Sequence, residues 1–234
     1  MKSSQVMHTA LVTTSDRGAP AQANRSERRK RRTRTALLRA AQRLIAEGKL
    51  NVPVLEITQA ADVGMGSFYN HFDSKEQLFE AAVADVLDAH GALLDRCTAS
   101  IEDPAETFAA SFRLTGRLFR RRPQESEILL ANGAALLSSD RGLAPRALRD
   151  IKAASDAGRF RVEDPELALA MAGGALLGLG TLLRADPQRD GCAAADAVTE
   201  DLLRLFGLDA EQARAICRRP LPDLDGWDQP DSAA

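Results

Sequence analysis

Residues 57–78 constrain the fold of this chain more than any other stretch, because they have the pattern of two short helices, a tight turn and a capped third helix. Small and apolar residues recur at helical spacing as far as Ala61, and Gly64 then interrupts the pattern where a turn is needed. Phe68 and Phe72 lie four positions apart, so we expect both rings on the inner face of the second helix. The pattern predicts a helix-turn-helix, an element that reads DNA.

The third helix of this stretch opens with the sequence of a capping box. Ser74 is followed three positions later by Gln77, a spacing at which side chains satisfy the free amides of the first turn. Lys75 lies in that turn, where its charge opposes the helix dipole. A cation in this position indicates a nearby anion, and we therefore predict that Lys75 contacts a DNA phosphate.

From Arg31 to Leu78 the chain resembles the tetracycline-repressor (TetR) family of transcriptional regulators. Residues 66–78 read Gly-Ser-Phe-Tyr-Asn-His-Phe-Asp-Ser-Lys-Glu-Gln-Leu. This run is similar, almost position by position, to the family pattern. That pattern is Gly, then Thr/Ser, Leu/Phe, Tyr, any residue, His/Tyr, Phe, any residue, Ser-Lys-Glu, any residue and finally Leu. Upstream, the apolar pairs that begin at Leu37 and the stop at Gly48 resemble the family's first helix.

Three positions depart from the family pattern. Asp62 stands where the family usually has Gly, and Gly64 stands where it often has a capping Ser. Met65 replaces a residue that is commonly basic, which weakens one expected phosphate or base contact. We therefore regard Met65 as a poor candidate for reading the DNA sequence.

The resemblance implies an all-α fold, in which a three-helix DNA-binding domain with a helix-turn-helix precedes a larger helical ligand-binding and dimerisation domain. We expect a disordered tail at 1–24, the DNA-binding domain with its basic arm at 25–74, the regulatory domain at 75–218 and a second tail at 219–234. Periodicity and the positions of Pro and Gly predict helices near 31–48, 54–61, 66–72, 75–99, 105–121, 124–138, 144–157, 164–184, 193–207 and 209–218.

The near-neutral net charge of −2 hides an asymmetry between the two ends of the chain. Residues 1–80 contain 13 basic and 8 acidic side chains, whereas residues 81–234 contain 18 and 25. The basic excess is concentrated before and at the start of the first helix, from Arg25 to Arg34. Such a cluster is usually only a solvated face, but beside a DNA-reading motif it is expected to bind phosphates or to enter the minor groove.

The predicted DNA-binding residues therefore combine the motif and the cluster. Ser67, Tyr69 and Asn70 are the candidates for contacts at or near base edges. Phosphate contacts are expected from His71, Lys75 and again Tyr69. The basic residues nearest the motif complete the set, and they are Arg31, Arg32 and Arg34. The resemblance implies a homodimer that places one recognition helix in each half of a palindromic operator in double-stranded DNA, and most members of the family repress transcription.

The fourth and fifth predicted helices contain the best candidates for a ligand cavity. Half of the eight Phe residues lie between 79 and 119, and His90 interrupts an apolar stripe. A lone His on such a stripe is more often a core residue, and the aromatic residues are more often core than pocket. In the resembling family, however, the carboxy-terminal helices enclose an inducer pocket near the fourth helix. The predicted ligand-binding residues are His90, Phe108, Phe112 and Thr115, and the predicted effector is a small apolar or amphipathic molecule.

Residues 167–183 contain no charged side chain, which permits a membrane span, a buried helix or a dimer helix. The run is at the lower limit of length for a span, and no other span accompanies it. The resembling family forms a four-helix dimer interface from its last two long helices. We therefore predict a dimer helix, with Gly174 and Gly178 at the interface beside Val198 and Leu202 of the next helix, and no membrane association.

The sequence offers little for catalysis. It has three histidines, and no nucleophile elbow, phosphate loop or metal-protease motif. Its three cysteines have neither disulfide nor metal spacing, and no signal peptide is recognisable at the amino terminus, so we expect a cytoplasmic protein without metal or cofactor. The alternatives to a regulator are a helical ligand-binding or scaffold protein and an enzyme with an unrecognised pocket.

Overall fold

The structure, a computed structural model, describes residues 19–133 and 140–222. Within these residues all of the regular structure is helical, with no β-strand, as the sequence predicted. The described helices are α1 (Ala19–Ala46), α2 (Val54–Ala60), α3 (Met65–Tyr69), α4 (Lys75–Thr98), α5 (Pro104–Arg121), α6 (Pro123–Ala131), α7 (Leu143–Asp156), α8 (Pro165–Ala185), α9 (Gly191–Leu205) and α10 (Ala210–Arg218).

Acidic caps open four of the ten described helices, α5, α8, α9 and α10, within two residues of where the sequence predicted. The side chain of Asp103 accepts a hydrogen bond from the amide of Ala105, and the following Pro104 opens α5. Asp164 and Pro165 open α8 in the same way. A carboxylate satisfies the free amides of the first turn, and proline has no amide to leave unpaired there.

The first helix is longer than predicted. It begins at Ala19 instead of near residue 31, so residues 19–24 belong to α1 and not to a disordered tail. The sequence from Ala21 to Lys30 consists largely of Ala, Gln, Arg, Glu and Lys, which form helix readily, but it has no apolar stripe by which a helix could be recognised. The basic cluster is therefore part of a helix and not an extended arm. Residues 219–222 of the predicted second tail follow α10 without forming a helix, whereas residues 1–18, residues 223–234 and the end of the sixth predicted helix lie outside the described residues.

Two large groups of buried apolar side chains form most of the core, a small third group consists of Leu94 and Leu114, and α4 contributes to each. The first group joins α1, α2 and α3 to Leu78, Ala82 and Val86 of α4 and to Ile128 of α6. The second joins Leu87 of α4 to α5, α6, α7, α8, α9 and α10. A displacement of α4 would therefore affect both groups, because the interior of a protein is densely packed.

By length and composition α8 could cross a membrane, the only described helix with this property. Its buried residues, however, lie on one side, at Ala168, Ala172, Leu179 and Leu183, and belong to the second core group. An apolar helix with one buried face and one exposed face is also what a subunit interface requires.

Candidate functional site

The turn between α2 and α3 explains the departure from the family pattern at residue 62. Asp62 has a φ of 53°, in the left-handed region that glycine adopts without strain. Aspartate is one of the few other residues that tolerate this conformation, because its short side chain can hydrogen-bond locally. The amide of Val63 donates to the carbonyl of Thr58 at 3.0 Å and closes the turn.

Two buried phenylalanines hold α3 against the first core group, as predicted. Phe68 is fully buried and Phe72 nearly so, and their ring centroids are 6.1 Å apart. α3 ends at Tyr69, three residues earlier than predicted, so Asn70 and His71 lie on the turn that follows it. Tyr69 and Asn70 are exposed, and Ser67 is half-buried.

The basic residues of α1 lie beside this turn. Arg31, Arg32 and Arg34 are exposed, and the guanidinium carbon of Arg34 lies 4.6 Å from the centroid of the Phe72 ring. Partial burial lowers the pKa of His71, and the nearby charges of Arg34 and Lys30 lower it further. The lowered pKa favours the neutral form of His71, so most of the positive charge at this end of the molecule comes from α1.

The capping box of α4 forms, but Lys75 has partners that the sequence did not indicate. The Ser74 hydroxyl accepts a hydrogen bond from the amide of Gln77 at 3.1 Å. The Nζ of Lys75 donates to the side-chain oxygen of Asn51 at 3.2 Å and to the carbonyl of Val52 at 3.4 Å. These oxygens offset the unfavourable placement of the lysine at the helix start. The predicted phosphate contact of Lys75 stays a prediction.

A cavity of about 90 Å³ lies between α4, α5, α6, α7 and α8. Three of the four predicted ligand residues line it, namely Phe108, Phe112 and Thr115. Most of the remaining wall is apolar and comes from Leu94, Leu129, Leu143, Leu169, Leu176 and Leu177.

His90, the fourth predicted ligand residue, does not line this cavity. It is buried behind Thr115, and its Nε2 lies 3.1 Å from the Thr115 hydroxyl oxygen. That hydroxyl donates to the carbonyl of Ser111 at 2.9 Å, so His90 Nε2 is the donor in this pair. Burial lowers the pKa of His90 to about 4, with a smaller contribution from Arg122. His90 is thus a neutral core residue, which is the alternative that the sequence left open.

One side of the cavity is charged, and the sequence did not point to it. Asp95 of α4 accepts hydrogen bonds from the Nε of Arg146 at 2.7 Å and from Arg149 at 3.0 Å. Arg149 also forms an ion pair with Asp150 at 2.8 Å. These four residues form the polar wall of the cavity. Two guanidinium groups and two carboxylates leave it without net charge.

The two carboxylates of the polar wall differ in environment. Burial opposes the ionisation of Asp95, but its bonds to Arg146 and Arg149 outweigh that effect, and its pKa lies below the ordinary value. Asp150 is more deeply buried, and burial raises its pKa although Arg149 acts in the opposite direction. Gly91 makes room for the wall, since a Cβ there would lie 2.6 Å from the Arg146 guanidinium.

The sequence could not bring these residues together, because Asp95 is separated from Arg146 by 51 positions and each looks like a solvated charge. One signal was available. Asp150 precedes Ile151 and Ala154, which form the buried stripe of α7, and an acidic residue beside such a stripe often borders a polar cavity.

The predicted dimer residues do not all lie on one accessible face. Gly174 and Gly178 are exposed on α8, and Val198 is half-buried. Leu202 is only 5% exposed, since α9 packs it into the second core group, and its assignment to an interface stays a prediction. The exposed apolar side chains on these two helices are Leu167, Met171, Leu182 and Leu205.

Comparisons with known proteins place both halves of the chain in one family. Residues 37–82 match the family described as bacterial regulatory proteins, tetR family. Residues 103–219 match the family described as tetracyclin repressor-like, C-terminal domain. In the described part of the chain, no group of His, Cys, Asp and Glu could hold a metal ion.

Individual relatives agree with this placement. The crystal structure of RolR without ligand is 33% identical, with a TM-score of 0.67 over 81% of this chain and 98% of that chain. RolR in complex with resorcinol is 32% identical, with a TM-score of 0.59 over 84% and 98%. The HTH-type transcriptional repressor KstR2 of Mycolicibacterium smegmatis is 36% identical over 84 residues, 34% of this chain and 41% of KstR2, so the match spans about two fifths of that relative.

Proposed function

Because this chain belongs to the TetR family of bacterial regulatory proteins, we propose that it is a cytoplasmic, homodimeric transcriptional repressor that a small molecule releases from a palindromic operator. One observation carries the DNA-binding part of the proposal. Phe68 and Phe72 fix α3 to the core while Tyr69 and Asn70 face solvent, directly beside the basic surface of α1. A rigid helix with an exposed polar face and adjacent cations suits the major groove.

The contacts divide between the two helices. Ser67, Tyr69 and Asn70 meet the base edges, with His71 and Lys75 near the backbone. Arg31, Arg32 and Arg34 neutralise phosphates, which increases affinity without reading sequence. In this proposal residues 25–74 form the DNA-binding domain and residues 75–218 form the regulatory domain, with α4 and Ile128 of α6 packed against the DNA-binding domain through the first core group.

The dimer forms through the exposed faces of α8 and α9. Leu167, Met171, Gly174, Gly178 and Leu182 recur at intervals of three or four residues along α8, and thus lie on one face. The two glycines would allow the same helix of a second copy to approach closely, and the larger residues would pack around them. Leu205 of α9 takes the place that the sequence assigned to Leu202.

The effector that fits the cavity is a neutral molecule with one ring and one or two hydroxyl groups. A volume of about 90 Å³ is well below that of pockets for drug-sized ligands, which begin at roughly 300 Å³. The aromatic and leucine walls favour a ring. The polar wall has no net charge, so it can bind hydroxyl groups without favouring an anion or a cation. Resorcinol, which is bound in the related RolR structure, has this chemistry.

Release follows from the position of Asp95. This residue belongs to α4, which contributes to both core groups, and it is held by Arg146 and Arg149 of α7. A hydroxyl group that bonds to these side chains changes how firmly α7 holds α4. The ligand shifts the dimer away from its DNA-binding state only by the difference between its affinities for the two states.

The DNA-binding part is tested with fragments selected from the source genome and measured by fluorescence anisotropy. Asn70→Ala should lower operator affinity at least tenfold and weaken the preference at one base pair per half-site. Arg31→Ala should instead reduce the slope of the log-log salt plot by about one per subunit. Lys152→Ala, an exposed lysine on α7, is the control. If Asn70→Ala and Arg31→Ala both behaved like the control, α3 would not be the reading helix, and the scaffold alternative would gain support.

The effector part is tested by thermal shift and by operator release with resorcinol, phenol, toluene and benzoate. We expect the two phenols to raise the melting temperature and to release DNA, and benzoate to do neither. Asp150→Asn should abolish the response to phenols and preserve operator binding by the unliganded protein. Asp156→Asn, an exposed acid on the same helix, should respond normally. A response to benzoate alone would contradict the neutral-hydroxyl assignment, and no response to any of the compounds would indicate that the cavity is plain core.

A further inference from the structure

The surface that α3 offers to DNA carries no formal charge. Residues 65–71 include no Arg, Lys, Asp or Glu, and the lowered pKa of His71, their one imidazole, favours its neutral form. Apart from Lys75 at the start of α4, the cations assigned to the DNA lie on α1 instead. Non-specific attraction to phosphates and direct contact with bases are thus assigned to different helices.

Met65 occupies the position on α3 that is best placed to reach the bases. It is the first residue of the helix, and the amino-terminal residues of a recognition helix are the ones that meet base edges. Its side chain is 41% exposed, and Tyr69, four residues later on the same face, is 58% exposed. Two large exposed residues with apolar surface beside a cationic helix indicate a partner that is both anionic and locally apolar.

The major groove of an A·T pair has this chemistry. Guanine is read most often by two hydrogen bonds from Arg or Lys to its O6 and N7 atoms, and α3 has neither residue. Thymine presents a methyl group, the only apolar feature of the major-groove edge, and adenine pairs well with an Asn side chain. We propose that the base pairs under α3 are A·T, and that Met65 contacts a thymine methyl group in each half-site. This inference rests on the proposed function, and it revises the low expectation for Met65 drawn from the sequence.

The first experiment selects binding sites from a pool of random duplexes with the full-length protein. The expected result is a palindrome with A·T pairs at the same central positions of both half-sites. Enrichment of a palindrome whose half-sites are read at G·C pairs alone would overturn the inference and leave the proposed function intact. Failure to enrich any duplex would overturn both.

The second experiment replaces single thymines of the selected site with uracil, which removes only the methyl group. For the wild-type protein, one position per half-site should lose about fourfold in affinity, as expected for one buried methyl group. For Met65→Ala the same replacement should have no effect, because the methyl group has lost its partner. Met65→Leu, which keeps an apolar side chain, should retain the sensitivity to uracil.

A change of specificity completes the test. Met65→Arg supplies the missing guanidinium group, and selection with this variant should enrich G·C at the position where the wild type prefers T·A. Wild-type affinity that is equal for thymine and uracil at every position would overturn the assignment of Met65. An equal loss of affinity on replacement of thymine by uracil for the wild type and for Met65→Ala would also overturn it, since the methyl group would then contact some other side chain. Helical content by circular dichroism should match the wild type for all three variants, because Met65 is exposed.

Discussion

Glycines on the inner and outer faces of the helices differ in what surrounds them. A Cβ at Gly116 would lie 2.5 Å from the Cβ of Ala195, and one at Gly180 would lie 2.6 Å from the ring of Phe119. A Cβ at Gly174 or Gly178 would meet no atom of the described residues within 4 Å. Gly178 and Gly180 belong to the same helix and are two residues apart, so the contrast arises from the face and not from the region of the chain.

Glycine inside a helix costs about 1 kcal/mol relative to alanine. On the inner face, close packing within the protomer offsets this cost. On the outer face, nothing in the described protomer does so, and the glycines therefore indicate close approach of a partner. Gly66 in α3 belongs to the second kind, since a Cβ there would also meet open space. We expect another subunit to approach Gly174 and Gly178, and DNA to approach Gly66.

The largest effect is expected from bulk on the outer face of α8. Gly174→Leu combined with Gly178→Leu should raise the dimer dissociation constant at least a hundredfold, about 3 kcal/mol, because two side chains would separate the facing helices. Sedimentation velocity measures the change, and circular dichroism should show an intact helical protomer. A variant that remained dimeric at the wild-type dissociation constant would place the interface elsewhere and would leave Gly174 and Gly178 without a partner role.

The burial of His90 on the inner face of α4 should make the stability of the protein depend on pH. His90 has a pKa of about 4 when folded and about 6.5 when unfolded, so between these values the unfolded state binds the proton and the folded state does not. Stability is therefore lost as pH falls through this window, by at most about 1.4 kcal/mol per pH unit. In urea titrations, wild type should lose about 1.6 kcal/mol more than His90→Gln between pH 6.5 and pH 5, because the unfolded histidine is already half protonated at pH 6.5.

This pH effect belongs to the protomer, so the double leucine variant of α8 should lose as much stability as wild type over the same range. If the free energy of unfolding changed with pH in the same way for wild type and His90→Gln, His90 would exchange protons freely in the folded state. It would then not be the enclosed partner of Thr115.

A single methyl group should be enough to disturb the inner face of α5. Gly116→Ala places a Cβ against Ala195 of α9, a contact that neither backbone can relieve without moving, and overpacking of this kind costs about 1 to 3 kcal/mol. The melting temperature should fall by roughly 2 to 10 °C, as measured by calorimetry. The variant should remain dimeric. If it were as stable as wild type, the close approach of α5 and α9 would not be needed for stability.

The sequence predicted most of the fold because the decisive signals were local. Asp-Pro pairs marked the starts of α5 and α8, and the Phe68 and Phe72 spacing oriented α3. It failed at the start of α1, where helix formers occur without an apolar stripe. Periodicity reports burial, and an exposed helix has none to report.

The site was less predictable because its residues are distant in the sequence. Phe108, Phe112 and Thr115 share one face of α5, so the stripe together with the family resemblance was enough to indicate them. The polar wall combines Asp95 with three residues of α7, and only the packing of α4 against α7 brings them together. The stripe on α9 did not reveal that Leu202 packs into the second core group of its own protomer.

The smallest effect on stability is expected at Gly66. This glycine also tests most directly whether open space around a helical glycine indicates a binding partner. The backbone φ of Gly66 does not require glycine, and no described atom lies near its missing Cβ. Gly66→Ala should therefore leave the fold intact and raise the free energy of unfolding by up to about 1 kcal/mol, as helix propensity predicts. Operator affinity should nevertheless fall about five- to tenfold, because the added methyl group would separate α3 from the DNA. Chemical denaturation and anisotropy titration measure the two effects on the same preparation.

Opposite signs for stability and binding are what distinguish a partner site from a packing site. Gly116→Ala should lower stability and change operator affinity only as far as it unfolds the protein, whereas Gly66→Ala should weaken binding in a protein that is at least as stable as wild type. Ser67→Gly introduces a glycine at the next position of α3, and it should lower stability slightly because glycine has a lower helix propensity than serine. If Gly66→Ala bound the operator as tightly as wild type, open space around a helical glycine would not indicate DNA contact, and the inference from Gly174 and Gly178 would have to rest on the leucine variants alone.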